Sequence, residues 1–227
     1  MKIQAIVPAA GLGKRFNKKV PKALSLLQGK PVIAHTLAAF EKNVLIESLI
    51  LVVPAQYLYR FKQVVEQYQF HKVKKIIAGG RNRSDSVKGG LKAIDEDTAM
   101  IVVHDGVRPL LTKDVLNQAI ELCRRWKAVA AAVPVKSTIK RINKKTFAVQ
   151  ETLNRDELWE IQTPQVFKKE ILCKAYERIK GVNPTDDAML VERLGCKVRI
   201  FFSDYKNIKI TTPEDLKIAR VFLGTRR

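Results

Sequence analysis

The chain has 227 residues, of which 46% are hydrophobic and 28% charged, a length and composition that give one sizeable core and exclude a disordered chain. Its 42 Lys+Arg against 22 Asp+Glu make a formal net charge of +20. Residues 1–100 hold 17 basic and 7 acidic residues and residues 101–227 hold 25 and 15, so each half carries +10 and no basic arm or stripe marks a nucleic-acid binder.

The start, Met-Lys-Ile-Gln-Ala-Ile-Val-Pro, reads as a strand over Ile3–Val7 and lacks the apolar core of a signal peptide. No apolar run approaches the roughly 18 residues of a membrane span. Cys123, Cys173 and Cys196 are odd in number and widely spaced, with no CxxC, so they read as buried free thiols of a cytoplasmic protein. After the strand, Pro8–Lys22 is polar and rich in Gly, Lys and Arg. Helical spacing follows at Pro31–Phe40, a strand at Ser48–Val53, a helix at Tyr57–Phe70 and a strand at Val73–Ala78 that ends on Gly79-Gly80. Ser84–Ile94 reads as a helix with Ser84 as N-cap. Met100–His104 is a strand, Thr112–Arg125 a helix and Ala128–Val133 a strand.

Residues 135–152 break the alternation. Val135–Ile142 and Thr146–Thr152, joined by a turn at Asn143-Lys144-Lys145, read as a polar, basic hairpin. Such a hairpin does not belong in the core and is expected to protrude as an arm that pairs subunits. Helices at Lys168–Ile179 and Asp186–Leu194, a strand at Lys197–Phe202 and a short strand at Asn207–Ile210 follow. Thr212-Pro213-Glu214-Asp215 is a helix start, with a capping hydroxyl, Pro at the first helical position and acids in the first turn. The expected fold is a single α/β domain over 1–227, Rossmann-like, with a mostly parallel sheet flanked by helices and the arm at 135–152.

The segment Pro8-Ala9-Ala10-Gly11-Leu12-Gly13-Lys14-Arg15-Phe16 carries the chemistry, with Pro21-Lys22 behind it. It is no dinucleotide fingerprint, because Phe16 stands at the third glycine position, and no Walker loop, because no Gly-Lys-Ser/Thr follows. What remains is a loop of small residues whose backbone N–H groups can approach phosphates, with Lys14, Arg15 and Lys22 in reach. Fixed cations there suit a triphosphate that loses pyrophosphate. Two glycines alone would mark only a tight turn; the preceding strand and the following Pro-Lys favour phosphate.

Pro-Ala-Ala-Gly-x-Gly-x-Arg followed by Pro-Lys resembles the signature of sugar-phosphate nucleotidyltransferases. Further blocks narrow the resemblance. They are Gly79-Gly80-Arg81-Asn82-Arg83-Ser84-Asp85-Ser86-Val87, Val103-His104-Asp105-Gly106-Val107-Arg108-Pro109, Asn154-Arg155 with Leu158-Trp159, Gln162-Thr163-Pro164-Gln165, Thr185-Asp186 and Asn207-Ile208-Lys209. In order and spacing they are similar to the 2-C-methyl-D-erythritol 4-phosphate cytidylyltransferases, over almost the whole chain. The chain departs from the common pattern at Ala23, at Arg81-Asn82 and at Gly106-Val107.

The resemblance implies that CTP and methylerythritol phosphate react to give the CDP-alcohol and pyrophosphate. It implies that Arg15 and Lys22 stabilise the transition state at the α-phosphate. Arg155 and Lys209 would position the nucleophilic phosphate, and Arg108, Thr138 and Thr163 would join them around the acceptor. Ala9, Ala10, Gly11, Gly13 and Lys14 would face the nucleotide phosphates, and Gly79, Gly80 and Ser86 the base. A Ser at a helix start can cap and bind at once, so both readings of Ser86 stay open.

Asp105 closes a strand at the carboxyl edge, where one carboxylate plus phosphate oxygens suits Mg²⁺ or another divalent cation; a plain turn aspartate is the alternative. His104 reads as a packed strand residue, since the attacking phosphate is already anionic and needs no strong base. Thr185-Asp186-Asp187 reads as a helix cap. A homodimer through the arm, with small-molecule substrates and neither nucleic acid nor membrane as partner, completes the expectation. Its rivals are a cytidylyltransferase for another polyol phosphate, such as ribitol 5-phosphate, and a nucleic-acid binder without catalysis.

Overall fold

The computed structural model describes residues 1–11, 20–178, 181–182 and 184–225. Among these, the chain runs β1 (Lys2–Pro8), β2 (Leu26–Leu27), β3 (Lys30–Pro31), α1 (Val32–Glu41), β4 (Ser48–Val53), α2 (Leu58–Gln67), β5 (Val73–Ala78), α3 (Arg83–Ala93) and β6 (Thr98–Val103). It continues α4 (Lys113–Trp126), β7 (Ala128–Pro134), β8 (Lys140–Ile142), β9 (Val149–Thr152), β10 (Trp159–Lys168), α5 (Lys169–Arg178), α6 (Asp187–Arg193), β11 (Arg199–Phe202) and α7 (Pro213–Gly224).

Seven strands form one sheet in the order β11-β7-β10-β6-β1-β4-β5. The β1, β4, β5 and β6 pairings are parallel, as is β11 with β7, while β10 runs antiparallel to both β6 and β7. β4 is buried at every position because helices cover both faces of the sheet. Alternate residues sort to the two sides. Ile3, Ala5, Val7, Leu49, Leu51, Met100 and Val102 join one core with α1, α2, α4 and α7. Ile6, Ile50, Val52, Ile101 and Val103 join the other with α3, α5 and α6. The α/β expectation holds.

Four expectations change in detail. The cap of α3 is Asn82, not Ser84: its side chain accepts from the Asp85 amide at 2.8 Å and from the Ser84 hydroxyl at 2.7 Å. The arm pairs over a shorter stretch, β8 with β9, and forms its own exposed two-stranded sheet. Asn207–Ile210 is not a strand; turn hydrogen bonds from Asn207 N to Asp204 O and from Ile208 N to Lys206 O replace ladder pairing. The central strand β10 lies where no strand was expected. Pro164 within it removes a ladder donor, which argues against a strand, and the sheet accommodates it by a break in register between Ile161 and Gln165. The Thr163–Pro164 bond is cis.

Candidate active site at the carboxyl edge of the sheet

β1 and β4 lie side by side, and the chain then places β6 on the opposite flank of β1. The order of strands therefore reverses between β1 and β6, and in open α/β sheets the crevice at such a point binds ligands. A pocket sits there. It is lined by Pro8, Ala9, Ala10 and Gly11 after β1, by Lys22, by Gly80–Arg83 and Ser86 after β5, by Asp105 and Val107 after β6, and by Lys209.

The loop after β1 stays tied to the sheet, since Ala9 N donates to Val52 O at 2.7 Å. Gly79 N donates to Val53 O at 2.8 Å, which brings the second loop against the first. A Cβ on Gly79 would lie 2.2 Å from the Ala10 Cβ and 2.9 Å from Ser86 Oγ, so only glycine fits. Ser86, 2% exposed, accepts from Gly80 N at 3.2 Å and donates to Asn82 O at 3.0 Å. Its hydroxyl holds the Gly79-Gly80 turn in shape beside the pocket. Gly13, Lys14 and Arg15 lie outside the described residues.

Asp105 is the electrostatic centre. It is 5% exposed and receives three cations: Arg83 Nε at 2.9 Å on Oδ1, Lys209 Nζ at 2.9 Å and Arg108 Nε at 3.4 Å on Oδ2. Burial alone would raise its pKa, but Arg83, Lys209 and Arg108 together hold it well below the usual carboxylate range. Arg108 is itself buried and donates from Nη1 to Asn207 O at 2.7 Å. Asn207, 1% exposed, donates to Gln162 Oε1 at 3.0 Å and Thr163 O at 2.8 Å. The Asn-Ile-Lys segment is thereby fixed by side chains where strand pairing is missing, and it delivers Lys209 to the crevice.

Behind Asp105 runs a buried relay. Asp105 N donates to Thr163 Oγ1 at 3.1 Å, so the Thr163 hydroxyl turns its hydrogen to His104 Nδ1 at 3.0 Å. That leaves Nε2–H of His104 to donate to Arg108 O at 3.2 Å. Burial pushes the His104 pKa down to about 4, against the pull of the Arg108 carbonyl, so the ring is neutral and both nitrogens are committed. The Phe40 ring packs against it edge-on, with centroids 5.6 Å apart. His104 is packed as expected, although it stands just beyond the end of β6 and not within the strand. Thr163 likewise buttresses Asp105 from below and is 3% exposed.

Thr138 and Arg155 do not join the crevice. Thr138 is exposed near the arm, and Arg155 is exposed at its base, where Nη1 donates to Lys136 O at 3.0 Å. Arg155 lines a separate hollow with Pro134, Val135, Lys136, Asp156, Trp159 and Tyr205.

Arg83 belongs to the site, although sequence reasoning gave it no role. It opens α3 and bridges Asp105 to the fully buried Asp187, which stands 2.8 Å from Nη2. Burial opposes its charge, but the two carboxylates raise its pKa well above the ordinary guanidinium value. Its place three residues after Gly80, at the start of the helix that follows the Gly-Gly turn, was the available signal.

At the strand reversal of this Rossmann-like sheet, bare backbone and the cations Lys22 and Lys209 beside one carboxylate offer an anionic ligand such as a nucleotide phosphate a place to bind, as nucleotidyltransferases require. The comparisons narrow the class. The family model of 2-C-methyl-D-erythritol 4-phosphate cytidylyltransferase (IspD) matches residues 3–225. The cytidylyltransferase of that name from Alkaliphilus metalliredigens is 45% identical over 229 residues, covering 100% of this chain and 95% of the relative. That from Caldanaerobacter subterraneus is 42% identical, covering 98% and 99%. Among solved structures, 4-diphosphocytidyl-2C-methyl-D-erythritol synthase from Anaerococcus prevotii superposes with a TM-score of 0.87 at 32% identity, covering 98% of this chain and 96% of that one. The chain belongs to the 2-C-methyl-D-erythritol 4-phosphate cytidylyltransferase family and is a cytidylyltransferase.

Proposed function

We propose that the crevice transfers CMP from CTP to the phosphate of 2-C-methyl-D-erythritol 4-phosphate, giving the CDP-alcohol and pyrophosphate for the non-mevalonate isoprenoid pathway. Family membership supports the reaction. The observation that carries the site is the convergence of the Pro8–Gly11 loop, Lys22, the Gly79-Gly80 turn with Ser86 and the Asp105–Lys209 pair on one crevice at the strand reversal. In this reading an acceptor phosphate oxygen attacks the α-phosphorus in line. A P–O bond forms there as the bond to the pyrophosphate oxygen breaks. Negative charge builds on the α-phosphate oxygens and the leaving group.

Lys22, with Lys14 and Arg15 of the same loop, answers that charge. Ala9, Ala10, Gly11 and Gly13 let the triphosphate approach the backbone, and Gly79, Gly80 and Ser86 face the base. Lys209 faces the acceptor beside Asp105, and Arg108 and Thr163, buried behind Asp105 and outside the pocket lining, hold that side in place. His104, with both ring nitrogens committed to hydrogen bonds, does not serve as a base, and an anionic phosphate needs none.

The donor chemistry fits a divalent cation that arrives with the triphosphate. Among the described residues no three His, Cys, Asp or Glu side chains come together to hold a metal. Asp105 offers one hard oxygen donor, and phosphates and water would supply the rest. Bound there, Mg²⁺ or a similar ion would neutralise phosphate charge, and Asp105 would hold it.

We propose that Arg155 and Thr138 reach the acceptor side of a neighbouring subunit's crevice in a homodimer. Their exposure away from the crevice, at an arm with exposed Ile139, Ile142, Phe147 and Val149, supports a second subunit's arm completing each site. Cytoplasmic location is proposed on the free cysteines and on the absence, among the described residues, of a helix long and apolar enough to cross a membrane. The test is pyrophosphate release from CTP with methylerythritol phosphate and ribitol 5-phosphate side by side, with and without Mg²⁺. Faster turnover of the methylerythritol substrate is expected. Equal or faster use of ribitol phosphate would overturn the acceptor assignment.

A further inference from the structure

The crevice cations are balanced by a carboxylate that lies outside the pocket lining. Arg83 leaves α3 between two acids: Nε donates to Asp105 Oδ1 at 2.9 Å, and Nη2 stands 2.8 Å from Asp187 Oδ2. Asp187 is fully buried at the first position of α6. Its Oδ1 accepts from the Tyr176 hydroxyl of α5 at 2.5 Å, and its amide donates to Gln165 Oε1 on β10 at 3.2 Å. Gln165 Oε1 also accepts from Ala188 N at 3.0 Å, and its Nε2 donates to Asp186 Oδ2 at 2.8 Å. The carboxylate is thus held by Tyr176 and Arg83, and the backbone that carries it is pinned to β10 through Gln165.

Its contact with Arg83 is a close, buried ion pair, Nη2 2.8 Å from Oδ2. The pair is a charge tether on a guanidinium whose other end is aimed at Asp105. Arg83, Arg108 and Lys209 face Asp105 and Asp187, three positive charges against two negative. Remove the buried charge of Asp187 and all three cations share one carboxylate at the edge of the nucleotide crevice.

We propose that Asp187 is a positioning residue for cytidylyl transfer, holding Arg83 back toward α6 so that its charge is divided between the buried helix start and the crevice. The proposal rests on the cytidylyl-transfer reading of the crevice. Without the tether, Arg83 swings toward the pocket and meets the triphosphate in the ground state. Nucleotide binding is then kept or tightened while the reacting geometry suffers. A displacement of this kind lowers kcat and not affinity.

The experiment is a double-mutant cycle with Asp187→Asn, Arg83→Lys and the pair, all made in the full chain. Turnover is followed by pyrophosphate release, and CTP affinity by calorimetry, which needs no turnover. Asp187→Asn is expected to lower kcat about tenfold, with the Kd for CTP unchanged or lower. In the Arg83→Lys background the same change is expected to have no further effect on kcat or Kd. An unaltered kcat, a weakened Kd for CTP, or losses that add in the double variant would each overturn the proposal, the last by showing that Asp187 acts apart from Arg83.

If Asp187→Asn does not fold, as judged by its thermal melt, Tyr176→Phe replaces it, since it keeps the charge and frees one oxygen. A smaller drop in kcat that vanishes in the Arg83→Lys background supports the tether, and an unchanged kcat overturns it. A wild-type protein that releases no pyrophosphate from CTP and methylerythritol phosphate would fail the underlying reading instead.

Discussion

His104 offers a quantitative check on the electrostatics behind the crevice. Its ordinary pKa is 6.5, and burial brings it to about 4 in the folded chain. Between those values the unfolded chain binds a proton on this ring that the folded chain does not. Unfolding is therefore favoured as pH falls through this window. At 1.36 kcal/mol per pH unit the gap corresponds to ~3 kcal/mol of stability lost between pH 7 and pH 4 from this one residue. Replacing it by Gln keeps a donor for Arg108 O but removes the titration. The His104→Gln variant is expected to be less stable at pH 7, because Phe40 and Thr163 lose a partner. Its stability should nevertheless fall less on acidification.

The assay is urea unfolding followed by circular dichroism at pH 7, 6, 5 and 4, with extrapolation to water. The difference between wild type and variant should shrink by ~3 kcal/mol over that range. A difference constant to within about 0.5 kcal/mol would refute the assignment of a neutral, committed ring. A corollary concerns turnover: no kinetic limb near pH 6.5 should disappear in the variant.

Other outcomes follow from the same geometry. Lys22→Ala should lower kcat by two or more orders of magnitude, ~3 kcal/mol of transition-state stabilisation, with little change in thermal melting; near-normal turnover would remove Lys22 from the chemistry. Gly79→Ala should raise the KM for CTP about tenfold or more, because the new Cβ meets Ala10 at 2.2 Å and pushes the two nucleotide loops apart; titration with CTP checks it. Arg155→Ala should weaken use of the acceptor and spare CTP affinity. Mixing it with Lys22→Ala should restore about a quarter of wild-type activity if subunits exchange and each site borrows Arg155 from its neighbour, since one of four random pairings rebuilds an intact site. Activity no greater than the sum of the two variants would place Arg155 in its own subunit's site.

The parallel half of the fold was legible because its strands are short, mostly apolar runs closed by Pro or Gly, Ser48–Val53 by Pro54 and Val73–Ala78, despite Lys74 and Lys75, by Gly79-Gly80. Ser48–Val53 and Val73–Ala78 have the same bounds in sequence and structure. β10 was hidden because Pro164 breaks the donor pattern and because Gln162 to Gln165 are polar yet buried by partners far away in sequence. Asn207–Ile210 looked like a strand from its alternation of Ile and Lys. What holds it is a side-chain lattice of Arg108, Asn207 and Gln162, which periodicity cannot show. In the site, Ala9–Gly11, Lys22, Gly80, Ser86, Asp105 and Lys209 meet at the crevice as the motif order implied. Arg83 and Asp187 went unread because their significance is a contact across 104 residues of chain. The local cues at each, a cation three residues past a Gly-Gly turn and an acid in the first turn of a helix, are individually common in solvated caps.

The antiparallel strand β10 has a mechanical consequence. Its Trp159 end pairs with Pro134 at the root of the arm, and its middle supplies Thr163 under Asp105 and Gln165 under Asp187. One strand thus joins the root of the arm to the side chains that seat the two acids of the crevice. Its ladder with β7 is interrupted between Ile161 and Gln165, so the arm end and the crevice end are two paired stretches joined by an unpaired one. A shift of the arm reaches the crevice only through that stretch, where Thr163 supports Asp105.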